Sequence, residues 1–137
     1  MIDTIASENM LEICRLVNRE SFMQDYYLAG GTALAMQLLH RKSNDLDFFA
    51  PGGIRVDRVI DWLHGVFAAR EVNIVFRGTD QLDVRIMHIR TSFNAYPFQV
   101  INGLISGERI DPRLSGLKIA PPEEIALMKA YAIGRRT

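Results

Sequence analysis

The apolar residues recur at helical spacing in three segments of the chain: residues 4–22, residues 54–70 and the segment that follows Pro122. In the first segment the apolar stripe consists of Met10, Ile13, Cys14 and Val17. In the second it consists of Val56, Val59, Ile60, Leu63 and Phe67. The last segment opens with prolines and glutamates, which favour the first turn of a helix. We therefore expect helices near both ends of the chain and one in the middle.

Five short runs lie between or after these segments and predict β-strands, and apolar and polar residues alternate in three of them, residues 45–49, 82–87 and 89–95. The runs are residues 26–29, 45–49, 72–76, 82–87 and 89–95. Residues 99–120 contain glycines and other breakers without a sustained period, so we expect them to be mostly loop. This order of strands and helices predicts an α/β (or α+β) domain with a short mixed sheet, flanked by helices that pack mainly on one side.

The stretch from Tyr27 to Phe49 is expected to form a strand, a glycine turn, a helix, a basic turn and a second strand. The turn is Gly30-Gly31-Thr32, and we expect the Thr32 hydroxyl to cap the helix that follows. Exposed amides at the start of a helix form a ready site for phosphate. The buried side of this helix is expected to consist of Leu34, Leu38 and Leu39.

The second strand of this stretch carries two acids, Asp45 and Asp47, with apolar Leu46 between them. Because side chains alternate along a strand, both carboxylates should lie on one face, about 7 Å apart along the backbone. Two carboxylates so placed repel each other unless a cation lies between them, and a hard divalent ion with oxygen ligands is the natural occupant. In the preceding turn, Arg41 offers the planar fork that binds phosphate oxygens, and Ser43 is expected to orient the loop.

Composition narrows the class of protein. The chain has 137 residues, enough for one domain with a substantial core, and its hydrophobic fraction of 48% is that of a soluble globular protein. Sixteen basic and sixteen acidic residues leave a formal net charge of zero, which argues against a surface that coats nucleic acid but permits a local basic site. No apolar run is long enough to span a bilayer, the N-terminus lacks the pattern of a secretory signal, and Cys14 has no partner for a disulfide. We therefore expect a protein of the reducing cytoplasm.

The motifs from Gly30 to Phe49 resemble the signature of the nucleotidyltransferase superfamily, a Gly-Gly or Gly-Ser turn followed after a short helix by an Asp-x-Asp strand. They are most similar to the AbiEii-type branch of abortive-infection toxins. Its pattern of a Gly-Gly-Thr turn, a leucine-rich helix and then His-Arg-x-Ser-x-Asp-Leu-Asp-Phe-Phe is matched in order. The segment from Ala120 to Ala130 also resembles the closing motif of this branch, whose lysine corresponds to Lys129.

The resemblance implies the minimal nucleotidyltransferase fold and an enzyme that moves a nucleotide from a nucleoside triphosphate (NTP) to a hydroxyl. It implies Mg²⁺ or Mn²⁺ as cofactor, RNA such as tRNA as acceptor, and a cognate antitoxin as protein partner in a phage-defence or toxin–antitoxin pair. The metal ligands would be Asp45 and Asp47, which together with Lys129 form the expected catalytic set. The NTP would be bound by Gly30, Gly31, Thr32, Arg41 and Ser43.

The chain departs from the superfamily pattern in two places. The superfamily usually adds a third carboxylate from a later strand, where this chain has Ser92, and the nearest acid on a strand, Asp83, comes one strand early. A Lys-Asp-x-x-Asp element that follows the closing motif in the branch is absent before Thr137. We therefore expect a single domain, residues 1–137, that lacks the C-terminal portion of the family.

Two functions stay open on these grounds. The first is a metal-dependent nucleotidyltransferase. The second is a catalytically inactive module of the same fold that binds nucleotide or a protein partner. The remaining motifs favour no other chemistry: the three histidines lack metal-ligand spacing, and the chain contains no Walker-type phosphate loop, no GxGxxG fingerprint and no nucleophile elbow.

Overall fold

The computed structural model describes residues 2–96, residue 100 and residues 102–135, the last four of these as backbone only. The helices are α1 (Glu8–Arg19), α2 (Gly30–Leu38), α3 (Val56–Val66) and α4 (Pro122–Arg135). The strands are β1 (Tyr27–Ala29), β2 (Asp45–Pro51), β3 (Val72–Arg77), β4 (Gln81–Ile86), β5 (Ile89–Tyr96), β6 (Ile105–Ser106) and β7 (Lys118–Ile119).

The strands form one mixed sheet of seven strands in the order β3-β4-β5-β2-β1-β7-β6. Strand β2 is central, parallel to β5 and antiparallel to β1. Strands β1 and β7 are parallel, and the other neighbours are antiparallel. The α/β class and the mixed sheet are therefore confirmed. Strand β2, which carries Asp45 and Asp47, lies in the middle of the sheet.

One face of the sheet packs into the core. Leu46 and Phe48 of β2 are fully buried there, and Phe48 stacks on Phe93 of β5 with ring centroids 5.5 Å apart. Trp62 of α3 packs edge-on against Phe93, so α3 covers this face. The opposite face carries Asp45 and Asp47, and we call it the site face.

Helices contact both faces of the sheet, so the expectation that they pack mainly on one side is wrong. Tyr96 of β5 lies on the site face, because it pairs with Pro51, which comes four positions after Asp47 and therefore lies on the same face of β2. Tyr131 of α4 packs edge-on against Tyr96 at 5.8 Å between ring centroids. Helix α4 therefore covers one end of the site face and leaves the part over β4 and β5 open.

Helix α2 differs from its predicted form. It begins at Gly30, and its N-cap is Ala29 without a side-chain hydrogen bond, so Thr32 does not cap it. Its buried side consists of the small or flexible residues Thr32, Ala33, Ala35 and Met36. Leu38 and Leu39 are exposed, because the helix ends there and Leu39 adopts a left-handed conformation with φ of 52°. Small residues let α2 lie close to β2.

The remaining boundaries shift for local reasons. The first helix is shorter than residues 4–22, because Ser7 caps it by accepting a hydrogen bond from the amide of Met10. Residues 105–106 and 118–119, expected to be loop, pair with each other as β6 and β7 and extend the sheet beyond β1. Among the described residues, no helix has the length and apolar character needed to cross a membrane.

Candidate active site

The two acids of β2 lie on one strand face beside the glycine corner, as the sequence predicts. Asp45 and Asp47 alternate with buried Leu46. Strand β1 pairs with β2 so that Ala29, the residue before the corner, is opposite Asp47. The corner and the second carboxylate are therefore brought together by a single backbone register.

Gly30 leaves the room that Asp47 occupies. A Cβ added to Gly30 would lie 3.1 Å from Cβ and Cγ of Asp47 and closer still to Oδ2. The φ angle of Gly30 is +71°, which side chains other than glycine rarely adopt. Backbone conformation and space together thus require glycine here, and the Asp47 carboxylate packs directly against the start of α2.

Gly31 makes room for a different group. A Cβ added to Gly31 would lie 2.6 Å from a terminal nitrogen of the Arg41 guanidinium. Arg41 itself is exposed, so its guanidinium lies at the mouth of the site. The two consecutive glycines therefore admit a carboxylate and a guanidinium to the first turn of one helix.

Thr32 and Ser43 fix the start of β2. The Thr32 hydroxyl donates to the backbone carbonyl of Asp45 and shares a hydrogen bond with the Ser43 hydroxyl. Both side chains are buried. These bonds join α2 to Asp45, the residue that carries the first carboxylate. The two hydroxyls therefore bond within the protein and hold the start of β2 in place.

Asp47 is held in an environment that disfavours its charge. Burial raises the pKa of its carboxyl, and the negative charges of Asp45 and Asp83 act in the same direction. A hydrogen bond of 2.7 Å, donated by the Ser92 hydroxyl to Oδ1, and the positive charge of Arg90 oppose the rise without cancelling it. The charged form of Asp47 is therefore disfavoured in the folded protein, chiefly because the carboxyl is buried.

A basic pocket of about 400 Å³ opens on one side of the two acids. Its basic side chains are Arg41 and Lys42 from the turn before β2, and Lys129 from α4. The structure thus brings Lys129 to the site from a position more than eighty residues further along the chain. The sequence-predicted residues Gly31, Thr32, Arg41, Ser43, Asp45, Asp47 and Lys129 all line this pocket.

An apolar cavity of about 550 Å³ adjoins the basic pocket beneath α4. It shares Gly31, Arg41 and Lys129 with that pocket and is otherwise lined mainly by apolar and aromatic side chains. Among these are Phe49, Tyr96 and Tyr131, whose rings form consecutive edge-on contacts. Its size is that of a ligand pocket, and aromatic faces suit a flat heterocycle.

On the other side of the acids, three strands present a grid of polar side chains that sequence reasoning did not identify as part of the site. The register of β2, β5 and β4 aligns three rows across the site face. The rows are Asp45-Arg90-Arg85, Asp47-Ser92-Asp83 and Phe49-Asn94-Gln81. The grid forms the floor of an open groove of about 770 Å³. The polar alternation of residues 90, 92 and 94 was a local sign of it, but the pairing that assembles the rows is not local.

The position of a third carboxylate on β5 is occupied by Ser92, which is the direct neighbour of Asp47. Asp83 lies in the same row one strand further away, and its carboxylate oxygens accept hydrogen bonds of 3.1 Å from the Gln81 amide. Within the described part of the chain, no three His, Cys, Asp or Glu side chains form a group able to hold a metal ion.

The residues present nevertheless fit a divalent cation that is completed by the substrate. Mg²⁺ in phosphate-transfer sites is usually held by one or two carboxylates together with substrate phosphates. Asp45 and Asp47 supply two hard oxygen donors on one strand face. Burial disfavours the carboxylate form of Asp47, and a cation bound beside it would stabilise that form.

Comparisons with known proteins agree with this geometry. The family described as nucleotidyl transferase AbiEii toxin, type IV toxin–antitoxin system, matches residues 14–137. A protein of unassigned function from Aquifex aeolicus is 33% identical over 117 residues, which cover 82% of this chain and 52% of the relative. The chain thus spans about half the length of that curated relative.

The fold has a solved counterpart. The crystal structure of a protein from Thermotoga maritima, described as a candidate nucleotidyltransferase, superposes with a TM-score of 0.58. The similarity covers 96% of this chain and 90% of that protein, at 10% sequence identity. At this identity the likeness concerns the fold, and the site must be argued from the residues of this chain.

Proposed function

Because the chain belongs to the AbiEii nucleotidyl transferase toxin family, we propose that it transfers a nucleotide from an NTP to a hydroxyl acceptor in a reaction that depends on a divalent metal. The observation that carries the proposal is the position of Asp45 and Asp47. They lie beside the Gly30-Gly31 corner, with a basic pocket on one side and an open polar groove on the other. A transfer reaction needs two partners to meet at such a point.

The donor nucleotide is assigned to the side that carries Arg41 and Lys129. The triphosphate would lie in the basic pocket, where Arg41 and Lys129 offset its charge and the amides of Gly30 and Gly31 at the start of α2 bind its oxygens. The base would enter the adjoining apolar cavity, where Tyr96 and Tyr131 present aromatic surfaces. Thr32 and Ser43 would contribute by holding Asp45 in place.

The metal ions, Mg²⁺ or Mn²⁺, would be held by Asp45 and Asp47. Bound ions supply charge stabilisation to the attacking and leaving oxygens of a phosphoryl transfer. The protein's own groups do the rest: Arg41 and Lys129 orient the triphosphate, and the fixed backbone of the glycine corner keeps the carboxylates in register with it.

The acceptor and the partner follow from the family. We assign RNA such as tRNA as the acceptor, and a cognate antitoxin as the protein partner in a toxin–antitoxin or phage-defence pair. The family's description as a type IV toxin–antitoxin system supports this role. The open groove over β4 and β5 supports an acceptor larger than a metabolite, since no described helix covers it.

The test is transfer of label from each NTP in turn, labelled at the α-phosphate, to total RNA in the presence of Mg²⁺. Asp45→Asn and Asp47→Asn should each lower the rate by about a hundredfold or more, as expected when a group that stabilises the transition state is removed. Asp61→Asn is the matched control, because Asp61 is an exposed acid on α3, the helix that packs on the other face. Equal rates for all three variants would refute the assignment.

A second candidate function is a binding module without catalysis, and Ser92 in place of a third acid favours it. Calorimetric titration of each NTP with and without Mg²⁺ separates the two functions. An enzyme should bind NTP in a metal-dependent manner that Asp45→Asn abolishes. Metal-independent binding that survives this substitution, with no transfer to any RNA, would establish the module instead.

A further inference from the structure

We propose that the groove over β4 and β5 binds the phosphodiester backbone of a single-stranded polynucleotide, with Arg85 and Arg90 as the phosphate-binding pair. The inference rests on the proposed function, because it assigns this strand as the acceptor at the same carboxylates. It begins with an arrangement that the folded protein alone does not explain.

Arg85 and Arg90 lie directly opposite each other on neighbouring antiparallel strands. Like charges in directly opposed positions of a sheet are destabilising. Both side chains are exposed and both line the groove. Within the described residues, neither guanidinium takes part in an ion pair or a hydrogen bond. Two planar guanidinium groups are thus held side by side in the open groove. An anionic oxygen ligand bound between them would reduce the repulsion between their charges.

The neighbouring acids do not fill this role for both arginines. Arg90 lies beside Asp45 in the first row, but no bond joins them, and Arg85 has Asn73 as its other neighbour, on β3. Asp83 is in the next row and is engaged by the Gln81 amide. Once Asp45 and Asp47 serve a divalent cation, the arginine pair is left as the positive end of the groove.

The groove is also distinct from the site assigned to the NTP. Asp45 and Asp47 line the groove and the basic pocket, and the groove shares the Phe49-Asn94-Gln81 row with the apolar cavity. The arginines of the groove belong to β4 and β5, whereas Arg41 and Lys129 line the basic pocket. In an in-line transfer, the acceptor hydroxyl attacks the α-phosphorus from the side opposite the bond to pyrophosphate, and that bond breaks so that its electron pair leaves with the pyrophosphate. The arginine row and the row of Asp47 are two residues apart along the strands, roughly 7 Å, which one nucleotide unit can bridge.

A polymer fits better than a mononucleotide, because basic side chains continue past the end of the groove that carries the two arginines. A second depression, of about 560 Å³, begins at Arg85 and includes Arg70 and His88. Its acid, Glu71, accepts a hydrogen bond from the Ala68 amide. The polar side chains of Ser92, Asn94 and Gln81 lie next to the arginines in the same groove, and Asn94 and Gln81 also line the apolar cavity. Contacts to a backbone at intervals are the mark of strand binding.

The test is fluorescence anisotropy with a labelled single-stranded RNA oligonucleotide and the whole chain, without NTP and with Mg²⁺ at a fixed concentration. Arg85→Gln/Arg90→Gln should weaken binding about tenfold or more. It should also reduce the slope of log Kd against log salt by about 1.4, because each phosphate of a single strand that the protein no longer neutralises lowers the slope by roughly 0.7. The control, Arg19→Gln/Arg109→Gln, removes the same charge from exposed arginines that line neither pocket, and it should leave both quantities nearly unchanged.

Two further measurements keep the outcome decisive. The affinity for NTP with Mg²⁺ should be the same for Arg85→Gln/Arg90→Gln and the wild type. If this variant bound NTP more weakly but bound the oligonucleotide as well as the wild type does, the arginines would belong to the donor side and the proposal would be overturned. Equal weakening by both double variants would overturn it as well. The double variant should fold, since removing a like-charge pair relieves repulsion. Specific loss of oligonucleotide binding would support the proposal even if no nucleotide transfer were found, so the proposed function can fail separately.

Discussion

At the scale of single residues, the site depends on the absence of a side chain at two glycines. Gly30 and Gly31 are neighbours in sequence, but the space beside each is taken by a different functional group. At Gly30 the neighbour is the Asp47 carboxylate, and the backbone is in the left-handed region. At Gly31 the neighbour is the end of the flexible Arg41 side chain, and the backbone is helical. The same substitution should therefore have different consequences at the two positions.

Gly30→Ala should destabilise the fold, and Gly31→Ala should mainly impair ligand binding. The first forces a Cβ into a positive φ, which costs about 1–2 kcal/mol, and into contact with Asp47. The second displaces only the Arg41 guanidinium, and alanine favours a helix more than glycine does. Urea unfolding should show a lower midpoint for Gly30→Ala alone, and calorimetry should show weaker NTP binding for Gly31→Ala. Two variants of equal stability would contradict the role given to Gly30.

At the scale of elements, the position of α4 decides whether Lys129 reaches the site. The first turn of α4 contains Glu124, whose side chain is 1% exposed. Its Oε1 accepts hydrogen bonds from the amide of Asn102 at 2.9 Å and from Nδ2 of the same residue at 3.1 Å. Gln37 of α2 donates to the carbonyl of Ala120, just before the helix. The start of α4 is thus tied to the loop and to α2, and Lys129 projects from the following turns.

Glu124→Ala should lower the free energy of unfolding by about 1–3 kcal/mol, because it leaves the donors of Asn102 without their acceptor. It should also weaken NTP binding, since Lys129 loses its fixed position. Glu124→Gln keeps an acceptor oxygen and should cost less. Glu123→Ala is the matched control, because Glu123 is the exposed neighbour in the same helical turn, and its effect should stay within about 0.5 kcal/mol. Chemical unfolding and NTP titration of the three variants measure these effects, and identical results for Glu123→Ala and Glu124→Ala would exclude the anchor.

At the scale of the whole molecule, the sequence predicts what depends on local period and fails where the outcome depends on distant pairing. Alternation along β2 suffices to place Asp45 and Asp47 on one face and Leu46 in the core. The role of Thr32 could not be predicted in this way. Because α2 begins already at Gly30, the Thr32 hydroxyl faces the start of β2 and bonds there instead of capping the helix.

The polar grid shows the same limit more clearly. Residues 81–85 and 90–94 alternate visibly in the sequence, but no local pattern says that Arg85 faces Arg90 or that Ser92 lies between Asp47 and Asp83. Register is set when hydrophobic faces of several strands pack together, and a slip by one residue would reverse every side chain. The prediction of the carboxylates was therefore possible, whereas the groove beside them required the fold.

A carboxylate whose charge is disfavoured by burial should lower the stability of the protein before its ligands bind. The pKa of Asp47 is raised from its ordinary value near 3.8, chiefly by burial. Below that value the carboxyl is neutral in both the folded and the unfolded state. As the pH rises, the unfolded chain ionises first, so stability is lost until the pH passes the pKa of the folded state. Asparagine has almost the same shape and does not ionise.

Asp47→Asn should therefore be more stable than the wild type at neutral pH without metal, by on the order of 1 kcal/mol, which shifts Tm by roughly 2–8 °C in domains of this size. The difference should vanish below pH 3.8. Saturating NTP with Mg²⁺ should reverse the order, because a ligand at a hundred times its Kd adds about 2.7 kcal/mol to the wild type, which binds it, and little to the variant. Thermal unfolding across pH, with Asp61→Asn as the control, measures this. A variant less stable than the wild type at neutral pH without metal would mean that the Asp47 charge is already compensated within the fold.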